Sequence, residues 1–185
     1  MNHLGVKTLE TEQLILRRFK IGDAQDMYQN WANDSEVNKF LSWPVHQSVD
    51  VSKAVIADWI KHYSEPDNYQ WAITLKLSDQ GVIGSIGVLH KKDDIKMVQI
   101  GYCIGRKWWH QGITSEALRA LIDFFISEVG VNRVEAMHDP NNPNSGKVML
   151  KCGMKYEGTM RQAHLNNQGI RDSAWYAILT SDYFK

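Results

Sequence analysis

Residues 109–118 read Trp109-His110-Gln111-Gly112-Ile113-Thr114-Ser115-Glu116-Ala117-Leu118 and join a predicted strand at 97–104 to a predicted helix. We expect Thr114 or Ser115 to cap this helix and Gly130 to end it. Its apolar positions, 118, 121, 122, 125, 126 and 129, share one face. A helix N-terminus offers unpaired N–H groups and a positive dipole end, and Gly112 allows close approach of a ligand. Alone, the pattern fits either a pyrophosphate site or a plain connection.

The segments around this stretch predict a mixed sheet with helices on its faces. The strand at 133–137 completes a strand–helix–strand unit whose two strands should be parallel. Earlier segments alternate with period two, which is typical of an antiparallel meander. The remaining predicted strands are 14–19, 70–75, 82–89, 154–163 and 172–179, and the remaining helices are 23–33, 48–60 and 142–151. The fold class is therefore α/β (α+β), in one domain over 1–185.

Composition excludes several classes of protein. The 185 residues carry 21 Lys plus Arg and 21 Asp plus Glu, so a general nucleic-acid binder is not expected. The two cysteines, Cys103 and Cys152, are too few for a zinc site or a disulfide framework, and no metal is expected. Residues 1–12 contain no apolar run, so no signal peptide is expected, and no apolar run reaches the length of a membrane span. A reducing, cytoplasmic location is the expectation.

Four segments together resemble one family. Ile100-Gly101-Tyr102 followed by residues 109–118 resembles the acetyl-CoA-binding motif of the GNAT acetyltransferases, in particular the RimJ/RimL type that acetylates N-termini of ribosomal proteins. Residues 11–17 resemble its opening strand, residues 139–145 with 151–154 its second cofactor motif, and residues 156–158 with 171–176 its closing strands. The resemblance implies a mostly antiparallel sheet whose parallel pair splays apart to admit acetyl-CoA. It also implies transfer of an acetyl group to a primary amine.

The resemblance also assigns cofactor contacts. It implies that the strand Tyr102-Cys103-Ile104 offers backbone groups to the pantetheine and the thioester. Asn142 should bind the pantetheine, and Ser145 should lie near the sulfur. The pyrophosphate should be held by the backbone amides of His110, Gln111, Gly112, Ile113, Thr114 and Ser115. His110 and Thr114 stand where the family usually has smaller residues in the phosphate loop. Met149 stands where many members have a tyrosine that protonates the leaving thiolate, so Ser145 is left to assist it.

The chemistry needs a neutral amine, a polarised carbonyl and a hydrogen-bond donor for the departing thiolate. We expect His164 to be the base, since histidine titrates near neutral pH and relatives carry a glutamate there. Glu157 and Asp172 are rival bases, whereas His110 and His138 are interpreted as structural. An acetyl-cysteine on Cys103 is an alternative to direct attack in a ternary complex.

The acceptor is less constrained by the sequence. Trp31, Trp43 and Trp71 are candidate walls of a substrate pocket formed by the first two helices and the 34–46 loop. The leading hypothesis is a peptide or protein N-terminus. A small amine (polyamine, amino acid or aminoglycoside) is the second, and a non-catalytic acyl-CoA-binding module is the third. A homodimer is left open as a further partner.

Overall fold

The computed structural model describes residues 1–185 and contains one eight-stranded sheet. The strands lie in the order β1-β2-β3-β4-β5-β6-β8-β7. Their bounds are β1 Leu9–Glu10, β2 Leu14–Arg17, β3 Gln70–Leu75, β4 Val82–Lys92, β5 Met97–Ile104, β6 Arg133–His138, β7 Lys155–Asn166 and β8 Gly169–Leu179. The helices are α1 Ala24–Met27, α2 Ser35–Asn38, α3 Val49–Lys61, α4 Ile113–Asp123, α5 Pro143–Lys151 and α6 Thr180–Tyr183. The α1 helix continues as a π-helical segment, Tyr28–Ala32, and α4 does so as Phe124–Val129.

The β5–β6 pair is the parallel pair of this sheet, and it opens along its length. Pairing joins Met97–Gln99 to Arg133–Glu135 and then stops, although both strands continue beyond these residues. From Ile100 onward β5 pairs with β4 alone, while β6 stays paired with β8. The expected mixed α/β (α+β) sheet with a splayed parallel pair is confirmed.

Helices cover both faces of the sheet because strand side chains alternate between the faces. Val98, Ile100 and Ile104 of β5 join the larger core cluster, which includes the apolar face of α4. Phe19, Trp31 and Ala72 belong to a second cluster on the side of α1 and α3. The open end of the β5–β6 pair therefore has α4 and α5 on one face and α1–α3 on the other.

Some predicted boundaries were wrong. The α4 helix begins after Gly112, which holds the N-cap position with φ of 80°, so neither Thr114 nor Ser115 caps it. Glycine adopts this left-handed conformation without a Cβ penalty. The 34–46 loop contains the short helix α2, whose cap is the Asp34 carboxylate accepting from the Glu36 amide at 2.9 Å. The β7 strand runs to Asn166, so His164 lies within a strand and not after it.

Long-range hydrogen bonds connect the residues before β2 to α4. The Glu116 carboxylate of α4 accepts from the backbone and the side-chain nitrogens of Gln13, at 2.8 and 2.9 Å, and from the Thr11 hydroxyl. Burial alone would raise the pKa of Glu116, but these hydrogen bonds outweigh it and lower the pKa. Thr11 and Gln13 thus fix the start of α4 to the start of the sheet.

Candidate active site

The candidate active site is the gap that opens between β5 and β6. Alternation directs Tyr102 toward the α4–α5 face and Cys103 toward the α1–α3 face. The Tyr102 hydroxyl lies 3.0 Å from the Ser145 hydroxyl and 3.1 Å from the Ser145 carbonyl oxygen. Burial raises the pKa of Tyr102 well above its ordinary value, so the phenol stays a hydrogen-bond donor. The structure therefore brings together two residues that the sequence assigned to one site.

Ser145 is placed by the close approach of α5 to the sheet. A Cβ on the next residue, Gly146, would lie 2.6 Å from His138 Nε2 and 3.0 Å from the Tyr176 hydroxyl. Only glycine allows α5 to pack this near to β6 and β8. His138 itself is buried, with Nδ1 2.8 Å from the Asp139 carbonyl oxygen and no partner for Nε2. Asn142 precedes Pro143 at the start of α5, so both motif residues, Asn142 and Ser145, lie at the start of one helix.

The loop between β5 and α4 has the backbone of a close-approach site. Both His110, with φ of 62°, and Gly112 adopt the left-handed conformation just before the first turn of α4. A Cβ added at Gly112 would lie 3.9 Å from Lys151 Nζ, which places an ammonium group beside the loop. Helix N–H groups, a glycine and a neighbouring cation are what an anionic phosphate group requires.

The β7–β8 hairpin carries the candidate base. His164 of β7 pairs with Arg171 of β8. Arg171 lies three residues before Ala174, which pairs with the last residue of β6. Ala174, Tyr176 and Ile178 of β8 face the core under α4 and α5, so alternation puts Arg171 and His164 on the opposite face. Cofactor-side residues and His164 thus lie on different faces of the sheet.

The two rival bases are engaged elsewhere. Glu157 accepts from the Arg133 guanidinium at 2.9 Å, and this hydrogen bond lowers the pKa of Glu157. Asp172 accepts from the Gln162 backbone amide at 2.9 Å, where β7 bulges. The His164 ring is half-buried and has no hydrogen-bond or ion-pair partner within the chain. Both carboxylates thus have partners within the chain, and His164 remains the predicted base.

The three candidate tryptophans differ in position. Trp31 and Trp71 are each 0% exposed. Trp71 packs edge-on against Phe124 and Phe125 in the core under α4, which corrects its assignment to a substrate wall. Trp31 lies in the core of the second cluster, so it is likewise a packing residue. Trp43 alone is partly exposed, in the loop between α2 and α3, and lies 5.1 Å from the His46 ring.

His46 gives this loop a dependence on pH. Its Nδ1 lies 2.8 Å from the Ser52 hydroxyl of α3, and burial lowers the pKa of His46 from its ordinary 6.5. The unfolded chain therefore takes up a proton first, and we expect stability to fall as pH drops below about 6.5 and through the lower folded pKa. Urea unfolding across this range measures the loss. His46→Gln should flatten the dependence, whereas His90→Gln, at the exposed end of β4, should leave it; equal slopes in all three proteins would contradict the prediction.

Cys103 is unsuited to covalent catalysis. Its thiol lies 3.4 Å from the Ser85 hydroxyl, and burial raises the pKa of Cys103 to about 11. Because the thiolate is the nucleophile, little reactive sulfur is present near neutral pH. We expect Cys103→Ala to keep kcat within about twofold of wild type. Trapping of an acetyl group on Cys103, seen by mass spectrometry of the intact protein after acid quench, would contradict this.

A polar cavity of about 410 Å³ lies where β5 ends. It is lined by Gln29, Asn30, Asp34, Arg106, Lys107 and Trp108. The first three come from the predicted first helix and the 34–46 loop, where a substrate pocket was expected, whereas the sequence gave no signal for the last three. Arg106 and Asp34 pair across it at 3.0 Å.

No group of three or more His, Cys, Asp or Glu side chains is arranged to hold a metal ion. None of the helices has the length and apolar character needed to cross a membrane.

Comparison with known proteins identifies the class. Residues 13–155 match the family model described as an acetyltransferase (GNAT) domain. The chain is 31% identical over 182 residues to an uncharacterized N-acetyltransferase of Bacillus licheniformis. This alignment covers 96% of this chain and 99% of the relative. It is 27% identical over 154 residues to a putative ribosomal N-acetyltransferase of Bacillus subtilis, covering 82% of each.

Solved structures show the same fold. The RimL ribosomal L7/L12 alpha-N-protein acetyltransferase, solved with coenzyme A, superimposes with a TM-score of 0.82 at 21% identity, over 94% of this chain and 98% of that one. Fold and motifs together define an acetyl-CoA-dependent N-acetyltransferase. The chain belongs to the GNAT acetyltransferase family, and the resemblance to its RimJ/RimL type is confirmed.

Proposed function

We propose that this N-acetyltransferase transfers the acetyl group to the α-amine at a protein or peptide N-terminus, by direct attack in a ternary complex. The observation that carries the proposal is the placement of His164, without a partner, on the sheet face opposite to Ser145 and α5. An α-amine, with a pKa near 8, needs only a modest base, whereas a lysine amine near 10.4 needs more help.

The residues around the gap fit acetyl-CoA. The β5 strand loses its parallel partner after Gln99, so backbone groups from Tyr102 to Ile104 are available on that edge. The loop at His110–Ser115, with Lys151 beside Gly112, suits the pyrophosphate. Asn142 and Ser145 lie at the start of α5, and Ser145 contacts Tyr102 of β5. Bound acetyl-CoA supplies an acyl group that is activated as a thioester.

Each chemical requirement has a residue in this proposal. His164 takes a proton from the attacking amine, directly or through one water. A backbone N–H at the end of β5 polarises the carbonyl. Ser145 donates a hydrogen bond to the sulfur as it leaves. Because Tyr102 can donate to either oxygen of Ser145, the serine hydroxyl keeps its own hydrogen free for this role.

The acceptor class is tested with matched peptides and acetyl-CoA. One peptide has a free N-terminal Ala, Ser or Thr, and its twin is blocked at the N-terminus and carries an internal lysine. We expect CoA release with the free peptide alone. Release with polyamines or aminoglycosides and not with peptides would transfer the function to small amines. Binding of acetyl-CoA without release for any acceptor would contradict the proposal.

A further inference from the structure

The turn of the β7–β8 hairpin, residues 166–169, bonds to two separate loops. Asn166 Nδ2 donates to the Asp139 carboxylate at 2.9 Å, on the loop between β6 and α5. The next residue, Asn167, donates from its backbone N–H to the Leu41 carbonyl oxygen at 3.0 Å, on the loop between α2 and α3. The hairpin turn thus connects the cofactor side of the gap to the loop expected to border the acceptor.

The bond to Asp139 is buried and charged. Asp139 is 3% exposed and also accepts from the backbone and the side chain of Asn141, at 2.9 and 3.0 Å. Burial acts to raise the pKa of Asp139, but the hydrogen bonds outweigh it and lower the pKa, so the carboxylate stays ionised. Asn166 is therefore held by a charge-assisted hydrogen bond, which is stronger than a neutral one.

Asn167 makes the connection between the hairpin turn and the loop between α2 and α3 almost alone. Its Nδ2 donates to the Asn38 and Trp43 carbonyl oxygens, each at 2.8 Å. With the backbone bond to Leu41, three hydrogen bonds join one turn residue to the 38–43 loop, which lies more than 120 residues earlier in the chain. Both hydrogens of the side-chain amide are used, so no other side chain of this size satisfies the same carbonyls.

The hairpin needs this connection because its outer strand is poorly supported. The β7 strand is an edge strand, and most of its residues are exposed. Its pairing with β8 is interrupted between Tyr156 and Gly158 and again between Met160 and His164. Bulges of this kind bend a strand and change the direction of its side chains. The position of His164 therefore depends on what holds the end of the hairpin.

We infer that Asn167 is a positioning residue: its three hydrogen bonds to the 38–43 loop fix the hairpin so that His164 is held at the acceptor side of the gap. This inference rests on the proposed function, because it takes His164 as the base. Asn167 itself acts through the hairpin and does not touch the reacting atoms. Displacement of a base by about 1 Å is enough to lower a rate by up to about 100-fold.

The test uses Asn167→Asp with Gln168→Glu as its matched control. The first change keeps the shape of the side chain but turns two donors into a carboxylate that faces two carbonyl oxygens. The second adds the same charge at the adjacent, exposed residue, whose side-chain amide makes only a 3.4 Å contact with the Asn167 carbonyl oxygen. We expect Asn167→Asp to lower kcat/KM for the amine about tenfold or more, with KM for acetyl-CoA within about twofold of wild type. Gln168→Glu should match wild type in both.

A second variant and a readout independent of turnover complete the test. Asn167→Ala removes the same donors without adding charge and should lower kcat/KM for the amine in the same direction. Amide exchange of residues 164–170 should be faster in both Asn167 variants and unchanged in Gln168→Glu. Amine kinetics equal to the control, or an equal loss for acetyl-CoA and amine, would overturn the inference while leaving the proposed function in place. If the wild-type protein acetylates no amine, the proposed function fails by itself, and unchanged exchange in Asn167→Asp would then overturn the positioning role separately.

Discussion

Replacement of His164 by glutamine is expected to lower kcat/KM for the acceptor amine by about 100- to 10,000-fold, the usual contribution of a general base. Glutamine keeps a polar side chain of similar reach but cannot take a proton at neutral pH. The loss should be largest at pH values where the wild-type base is unprotonated, and the low-pH limb of the kcat/KM profile that belongs to the base should disappear. Steady-state kinetics from pH 5.5 to 9, in steps of about half a unit, measure both effects.

The matched control for this prediction is His90→Gln, on the exposed end of β4. It should leave kcat/KM unchanged, and the dissociation constant for acetyl-CoA should be the same in both variants and in wild type. A His164→Gln protein with full activity would remove His164 from the mechanism. Loss of activity in Glu157→Gln without loss in His164→Gln would instead assign the base to Glu157, despite its ion pair with Arg133.

Local patterns were sufficient for most of the fold. The predicted strand bounds 70–75 and 97–104 coincide with β3 and β5 because period-two alternation of apolar residues is a local signal. The helix after Gly112 was also evident, since its apolar face repeats at helical spacing. The opening between β5 and β6 was different. Alternation does not report where two strands stop pairing, and only the family resemblance implied it.

The hairpin turn shows why other parts of the site could not be predicted. The predicted strands 154–163 and 172–179 imply a turn between them, but nothing near it in sequence indicates that Asn167 bonds to carbonyl oxygens at Asn38 and Trp43. Backbone acceptors leave no mark in a sequence, because every residue carries one. Trp71 illustrates the converse, since an aromatic side chain suits a core and a substrate wall equally well. Trp71 could be assigned to the core only from the structure, which shows the face of β3 on which it lies.

Gly112 carries the second large effect, on binding of acetyl-CoA. Gly112→Ala places a Cβ in the loop where the phosphates are proposed to bind, at a φ of 80°. The left-handed conformation costs an alanine about 1–2 kcal/mol, which the loop can relieve by moving the amides that are proposed to hold the pyrophosphate. We expect the dissociation constant for acetyl-CoA to rise about 10- to 100-fold. Isothermal titration calorimetry measures this without an acceptor.

The same helix supplies a control for the strain itself. Gly130, at the other end of the helix, has φ of 76°, and a Cβ there meets nothing within 4 Å. Gly130→Ala should therefore lower the free energy of unfolding by a similar amount, about 1–2 kcal/mol, but keep wild-type affinity for acetyl-CoA. Equal weakening in the two variants would mean that binding merely follows stability. Because the two glycines share one helix and one backbone conformation, a loss confined to Gly112→Ala can only come from the loop before α4.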